Sequence, residues 1–136
     1  MYETFDHTAD LGLRMRASDL DTLFAEAGQA LFAAIVEDLD TVEPQQQLRI
    51  ELAGDDREFL LFDWLKELLY QFDSQHLLFS RFQVHVGDNG LSATAWGEPL
   101  DPNRHQLLHE VKAITYHGLT VEQTDQGWLA EVIVDI

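Results

Sequence analysis

Two segments of this chain place apolar residues at three- and four-residue intervals, and each is long enough for several helical turns. The first, Ser18–Glu37, carries a single apolar stripe, with Ser18 as its expected N-cap. The second begins near Asp55 or Asp56 and runs to about Phe72. Its stripe is wider, which predicts that this helix is the more deeply buried of the two.

The rest of the chain alternates between apolar and polar residues, as strands do when one face is buried. Leu11–Ala17 has this pattern, another strand is expected to begin at the glutamines 45–47, and Asp88-Asn89-Gly90 predicts a hairpin turn. The last predicted strands are Glu110–His117, Leu119–Gln123 and Trp128–Ile136. We therefore expect an α+β fold, a single domain over residues 1–136 with a mostly antiparallel sheet and two long helices packed on one face.

The charge balance limits which partners the chain can bind. It has 8 Lys+Arg against 25 Asp+Glu among 136 residues, a net charge of −17. A surface this acidic repels phosphate backbones and anionic membranes, so direct binding to nucleic acid or to a membrane is not expected. Cations, or a partner protein with a basic surface, are favoured instead.

The sequence also indicates the compartment of the protein and whether it spans a membrane. Cysteine is absent, which excludes disulfides, thiolate nucleophiles and cysteine-based zinc sites and fits a reducing compartment. The first ten residues contain no apolar segment typical of a signal peptide. The longest apolar stretch, residues 59–70, is interrupted by charged residues, so no membrane span is predicted and the expected location is the cytoplasm.

Common catalytic signatures are missing from the sequence. It contains no GxxxxGK[ST], GxGxxG, HExxH or GxSxG motif. His105 and His109 are four residues apart, but they would share a face only on a helix, and the surrounding sequence is as typical of a loop. Each histidine is therefore expected at the surface or in a turn, with a histidine metal site as the less favoured alternative.

Three oxygen groups are better candidates for a functional site. Asp10 precedes the Leu11–Ala17 strand, Asp135 lies in the last strand, and the main-chain carboxylate of Ile136 stands beside it. Neighbouring carboxylates raise the cost of ionising one another unless a cation lies between them. Oxygen ligands suit Ca²⁺, Mg²⁺ or Mn²⁺. The alternative is that Asp135 only protects an edge strand against aggregation.

Lys112 is unusual because the chain has only two lysines and this one lies in a segment suited to a sheet. From the pattern alone, it is expected to be a strand residue that faces solvent.

Several separated motifs resemble those of one protein family. They are His7–Asp10 followed by a strand, Phe62–Leu65 in the second helix, the block EVKAITYHGL at Glu110–Leu119, and the ending Gly127–Ile136. Together and in this order they resemble the archease family, and the resemblance covers essentially the whole chain.

The resemblance implies a function that composition could not indicate. Archeases are small acidic protein cofactors of the RtcB-type RNA ligase of tRNA splicing and RNA repair. That ligase joins a 2′,3′-cyclic-phosphate or 3′-phosphate end to a 5′-hydroxyl end, using GTP, Mn²⁺ and a guanylylated histidine of its own. The resemblance implies that this chain is not an enzyme, but promotes guanylylation and repeated turnover of the ligase.

The resemblance also assigns residues to these roles. The family's divalent-metal site corresponds to Asp10, Asp135 and the terminal carboxylate of Ile136, and its functionally required lysine corresponds to Lys112. Two other functions stay open. One is a chaperone or specificity factor for a tRNA-modifying enzyme such as a tRNA methyltransferase. The other is a free-standing metal-dependent hydrolase, which the lack of a recognisable general base or nucleophile disfavours.

Overall fold

Two antiparallel sheets and two long helices form the part of the chain that the computed structural model describes, residues 1–7 and 10–136. In chain order the elements are β1 (Tyr2–His7), β2 (Asp10–Ala17), α1 (Leu20–Ile35), a 3₁₀ turn (Leu39–Thr41), β3 (Gln46–Ala53), α2 (Arg57–Gln75), β4 (Leu77–Gly87), β5 (Gly90–Pro99), β6 (Ala113–Ile114), β7 (Thr120–Thr124) and β8 (Gly127–Asp135). The predicted α+β fold with mostly antiparallel pairing is confirmed.

The strands divide between two sheets rather than forming one. The larger sheet has the order β1-β2-β8-β6, with β7 also pairing with β8, and the smaller has the order β3-β5-β4. The predicted hairpin turn joins β4 to β5, where Gly87 pairs with Gly90. The first strand, β1, was not predicted, because its short acidic sequence lacks clear alternation.

Side-chain caps fix where both helices begin. Asp19, rather than the predicted Ser18, caps α1 by accepting a hydrogen bond from the Thr22 N–H at 2.8 Å. Asp56 caps α2, and α2 ends at His76, whose φ of 56° lies in the left-handed region. No helix of the described residues is long and apolar enough to cross a membrane.

The prediction that the second helix is the more deeply buried is wrong. Nine of the 16 residues of α1 are buried, against seven of the 19 residues of α2. Small residues in α1 allow it to approach β2 and β4 closely, and Phe82 packs directly over Gly28. Phe59, which widens the apolar stripe of α2, is 54% exposed.

One connected cluster of buried apolar side chains joins the helices to both sheets. Trp64 of α2 is fully buried, and its Nε1–H donates a hydrogen bond to the carbonyl oxygen of Phe24 in α1 at 2.9 Å. Phe79 and Phe82 of the smaller sheet extend this contact through edge and tilted ring packing. The core therefore ties α1, α2 and the smaller sheet together around Trp64.

The strand predicted over Glu110–His117 is reduced to the two residues of β6. The reason is competition for one side of β8, because β2 occupies the other side. β7 pairs with Gly127–Glu131, which leaves only the last residues of β8 for β6. Residues outside that short pairing follow the surface of the fold, whatever their alternation.

Gly97 offers a direct test of how closely β4 and β5 approach. A Cβ atom there would overlap the backbone of Leu78 and Phe79, at the register shift between the two strands. We expect Gly97→Ala to lower the free energy of unfolding by about 3 kcal/mol, because backbone atoms would have to move. Urea denaturation measures this. Gly87→Ala in the same hairpin is the matched control, since a Cβ there meets only ordinary contact. Equal effects of the two variants would contradict the expectation.

Candidate functional site

Strand register brings together two aspartates from opposite ends of the chain. Asp10 of β2 pairs directly with Asp135 of β8, and Ala113 of β6 pairs with Asp135 from the other side. Residues directly opposite in an antiparallel pair carry their side chains on one face, with Cβ atoms about 5 Å apart. The Asp10 and Asp135 side chains therefore project from the same face at one end of the larger sheet.

Lys112 joins the same end of the sheet. Its backbone N–H donates a hydrogen bond to the carbonyl oxygen of Asp135 at 2.7 Å. Its side chain is exposed, as predicted, whereas Asp10, Asp135 and Ile136 are partly buried. All four predicted site residues thus lie at or next to the β2–β8–β6 pairing, although Thr8 and Ala9 of the first motif lie outside the described residues.

Edge protection does not explain Asp135. At this residue β8 is bonded to β2 on one side and to β6 on the other, so it is an interior strand. Protection of an edge against aggregation therefore does not account for a carboxylate at this position.

The donor atoms at this end of the sheet suit a hard divalent cation. Aspartate and main-chain carboxylate oxygens are ligands that Ca²⁺, Mg²⁺ and Mn²⁺ prefer. Across residues 1–7 and 10–136, no three His, Cys, Asp or Glu side chains are grouped as a metal site. Asp10 and Asp135 supply two side chains only, so a third protein ligand here would have to be a main-chain oxygen such as that of Ile136.

A second charged cluster, not predicted from the sequence, precedes the segment that carries Lys112 along the chain. Glu98 is only 3% exposed, and its carboxylate forms an ion pair with Arg104. It also accepts a hydrogen bond from the Glu43 N–H at 2.7 Å, and its Oε2 lies 3.0 Å from Nε2 of His105. Together these groups anchor the loop after β5 to the chain around the 3₁₀ turn.

The surroundings of Glu98 shift its pKa in opposite directions. Burial is the largest single influence and raises the pKa of this carboxyl. The hydrogen bonds from Arg104, the Glu43 N–H and His105 together outweigh burial, so the pKa lies below its ordinary value of 4.5. Glu98 is therefore held as a carboxylate.

Each histidine was expected at the surface or in a turn, and His105, directly after the turn of residues 102–104, is instead buried. Its side chain is fully buried, and Nδ1 accepts a hydrogen bond from the Asp101 N–H at 2.9 Å. Since Nδ1 is an acceptor, we assign the ring proton to Nε2, which faces Glu98. Both ring nitrogens are thus engaged, which rules out the alternative of a metal site at His105 and His109. The only sequence signal for this cluster is the short spacing of Glu98, Arg104 and His105.

Comparison with known proteins gives a consistent result over the full length of the chain. Residues 2–136 match the model of the archease protein family (MTH1598/TM1083). The protein archease of Methanopyrus kandleri is 42% identical over 139 residues, which cover 99% of each chain. That of Pyrococcus furiosus is 39% identical and covers 99% of this chain and 98% of its own.

Solved structures agree with the fold. The solution structure of protein 1598 of Methanobacterium thermoautotrophicum superposes with a TM-score of 0.87 at 37% identity, covering 99% of this chain and 98% of that one. The crystal structure of a Thermotoga maritima protein, described as an "archease, possible chaperone", has a TM-score of 0.68 at 20% identity and covers 100% of this chain and 98% of that one, which shows the shared fold alone. With the family match over residues 2–136 and relatives above 35% identity along the whole chain, this protein belongs to the archease family.

Proposed function

We propose that this chain is a non-catalytic protein cofactor of an RtcB-type RNA ligase in the cytoplasm, where it promotes guanylylation and repeated turnover of the ligase in tRNA splicing or RNA repair. The observation that carries the proposal is the direct pairing of Asp10 with Asp135, beside the Lys112 backbone. Family membership supports it, because the resemblance assigns these residues to that role.

In this proposal, Asp10, Asp135 and the main-chain carboxylate of Ile136 hold a divalent ion, Ca²⁺, Mg²⁺ or Mn²⁺. Such an ion supplies positive charge that can bind a phosphate oxygen of a nucleotide. The two aspartates offset the charge of the ion, which removes the repulsion between them. Lys112, exposed one residue before β6, is placed to contact a phosphate or a carboxylate of the ligase.

The acidic body of the protein favours this partnership. With a net charge of −17, it is attracted to the basic surface that an RNA-binding enzyme presents. The ligase can hold the RNA while this chain binds only the ligase. Association should therefore weaken as the salt concentration rises, because screening shortens the range of the attraction.

Ligation by a limiting RtcB-type ligase tests the proposal. With excess RNA, GTP and Mn²⁺, we expect this protein to convert a single burst into many turnovers. Asp10→Asn and Asp135→Asn should each reduce the turnover number at least about tenfold, the effect typical of a lost metal ligand or its support. Asp125→Asn is the matched control, because it removes the same charge from an exposed turn.

Three outcomes separate the parts of the proposal. If the wild-type protein leaves a verified ligase unchanged, the proposed function is wrong. If both aspartate variants activate fully, the site assignment is wrong. Calorimetric titration with Mn²⁺ measures whether each variant still binds the metal. If a variant no longer binds Mn²⁺ but still activates the ligase, the ion is not part of the mechanism. Neither variant should unfold the protein, since each removes one of two facing like charges.

A chaperone or specificity factor for a tRNA methyltransferase is the second candidate. It is favoured by exposed aromatic side chains such as Phe59 and Tyr116, and by the description of the Thermotoga maritima relative. This function predicts that the protein suppresses aggregation of the methyltransferase and that Asp135→Asn does so equally well. A light-scattering assay with both proteins distinguishes it from the ligase function.

A further inference from the structure

Exposed large apolar side chains are concentrated on one side of the molecule. Among residues 1–7 and 10–136, six such side chains are exposed by half or more. Five of them lie either on α2 or on the segment 107–116, which follows β5. We call these five residues the α2 face: Phe59, Tyr70, Leu107, Leu108 and Tyr116. Clustering of this kind marks interaction surfaces, whereas single exposed apolar residues do not.

Helix geometry places Phe59 and Tyr70 on one exposed stripe of α2. Phe59, Asp63, Lys66, Tyr70 and Asp73 recur every three or four residues of α2, and all five are exposed. Residues 107–116 run alongside this stripe.

Ring contacts at the end of the segment join it to α2, and a cavity separates the two near its start. The ring of Tyr116 stacks on Phe62 with centroids 4.0 Å apart, and it meets the edge of Phe59 at 5.6 Å. At the other end, residues 107–112 line a cavity of about 500 Å³ with Phe72 and Asp73 of α2.

Charge accompanies the apolar surface at the start of α2. A cavity of about 580 Å³ is lined by Asp56, Glu58, Phe59, Tyr116 and Leu119. It places two carboxylates beside two exposed aromatic rings. A guanidinium group binds both features, through ion pairing with the carboxylates and through cation–π contact with the rings.

Arginine over an aromatic ring is already a recurrent contact within this chain. The guanidinium carbons of Arg14, Arg57 and Arg81 lie 4.6, 5.0 and 4.9 Å from the ring centroids of Phe5, Trp128 and Trp96. Phe59 and Tyr116 expose 54% and 55% of their surface, so they offer rings for an arginine from another molecule.

We propose that the α2 face is the docking surface for an arginine-bearing surface of a partner protein, and, resting on the proposed function, that this partner is the RNA ligase. The segment that forms one side of the face also carries Lys112, whose N–H is bonded to Asp135. The same segment therefore connects the α2 face to the Asp10–Asp135 pairing through the backbone. The net charge of −17 favours a basic partner over a second copy of the same chain.

Affinity measurements with the ligase test this inference. Biolayer interferometry with an RtcB-type ligase should show at least tenfold weaker binding for the double variant Phe59→Ser/Tyr116→Ser, and again for Glu58→Lys. The controls are Gln47→Ser/Gln83→Ser and Glu51→Lys, which change exposed residues of the smaller sheet and should stay within twofold of wild type. At saturating protein, Glu58→Lys should restore ligase turnover, because Asp10, Asp135 and Lys112 are unchanged.

The outcomes are distinguishable. If wild type binds the ligase and the face variants bind equally well, the docking inference is wrong while the proposed function survives. If wild type does not bind or activate the ligase, both are wrong. Sedimentation velocity tests whether a second copy of this chain binds the face instead. If the wild type dimerises and the face variants do not, while both bind the ligase equally well, the face is a dimer interface. Circular dichroism confirms that the variants are folded.

Discussion

Replacing Trp64 by alanine is expected to lower the free energy of unfolding by about 4 kcal/mol, one of the largest effects of any single side chain here. Trp64 is fully buried between the helices, where its ring edge meets Phe82 with centroids 6.0 Å apart. Its Nε1–H is bonded to the carbonyl oxygen of Phe24, so the variant loses a contact between helices as well as packing. Urea denaturation followed by circular dichroism measures the change.

Two further tryptophan variants separate packing from hydrogen bonding. Trp64→Phe keeps an aromatic ring but removes the donor, so about half of the loss is expected. Trp96→Ala is the control, because Trp96 is partly exposed and lies in the smaller sheet beneath Arg81. A loss for Trp96→Ala as large as for Trp64→Ala would show that the contact between α1 and α2 is not central to stability.

Glu98→Ala is expected to lower the free energy of unfolding by about 3 kcal/mol, because it removes the buried carboxylate that pairs with Arg104 and accepts hydrogen bonds from the Glu43 N–H and the buried ring of His105. Arg104 contributes less to this cost, since its side chain is 43% exposed and water can solvate it. Glu98→Gln keeps an acceptor at this position, and we expect about half of the cost. If Glu98→Ala lowers the free energy of unfolding by no more than the exposed control Glu51→Ala does, the cluster does not stabilise the fold.

The same carboxylate gives a pH dependence with a definite sign. The folded state lowers the pKa of Glu98 below 4.5, so its ionised form contributes stability that is fully present above that pH. The contribution is lost as the pH falls through the folded pKa, because the protonated side chain then resembles glutamine. The stability difference between wild type and Glu98→Gln should therefore shrink below about pH 4.5. A difference that stays constant down to pH 3 would contradict this.

The Glu98 cluster also bears on the functional site. It anchors the loop after β5. The Glu37 N–H, just after α1, then donates a hydrogen bond of 2.8 Å to the carbonyl oxygen of Gln106 at the end of that loop. Residues 107–116, which carry Lys112 and three of the five residues of the α2 face, begin directly after Gln106. If the proposed function holds, variants at Glu98 should weaken ligase activation indirectly, through the position of this segment.

Local patterns determined what depends only on nearby residues. Both helices were predicted because a period near 3.6 and a capping aspartate or serine act within one or two turns. The turn between β4 and β5 was predicted because Asp88-Asn89-Gly90 favours a tight hairpin on its own. The site residues Asp10, Asp135, Ile136 and Lys112 came from separated motifs, and their spacing alone did not indicate that they meet.

Pairing between distant segments decided the strand register, the length of β6 and which side chains are buried. The register of β2 against β8 sets Asp10 opposite Asp135, and β7 leaves β6 only two residues of β8 to pair with, whatever the alternation of the Lys112 segment. Burial of His105 and exposure of Phe59 likewise depend on which distant elements cover them. By itself the sequence determined the two helices, the β4–β5 turn, the acidic charge and the family motifs, because these are local or compositional. Only the tertiary structure decided which strands share β8 and which faces remain open, since distant segments compete for the same hydrogen bonds and the same core.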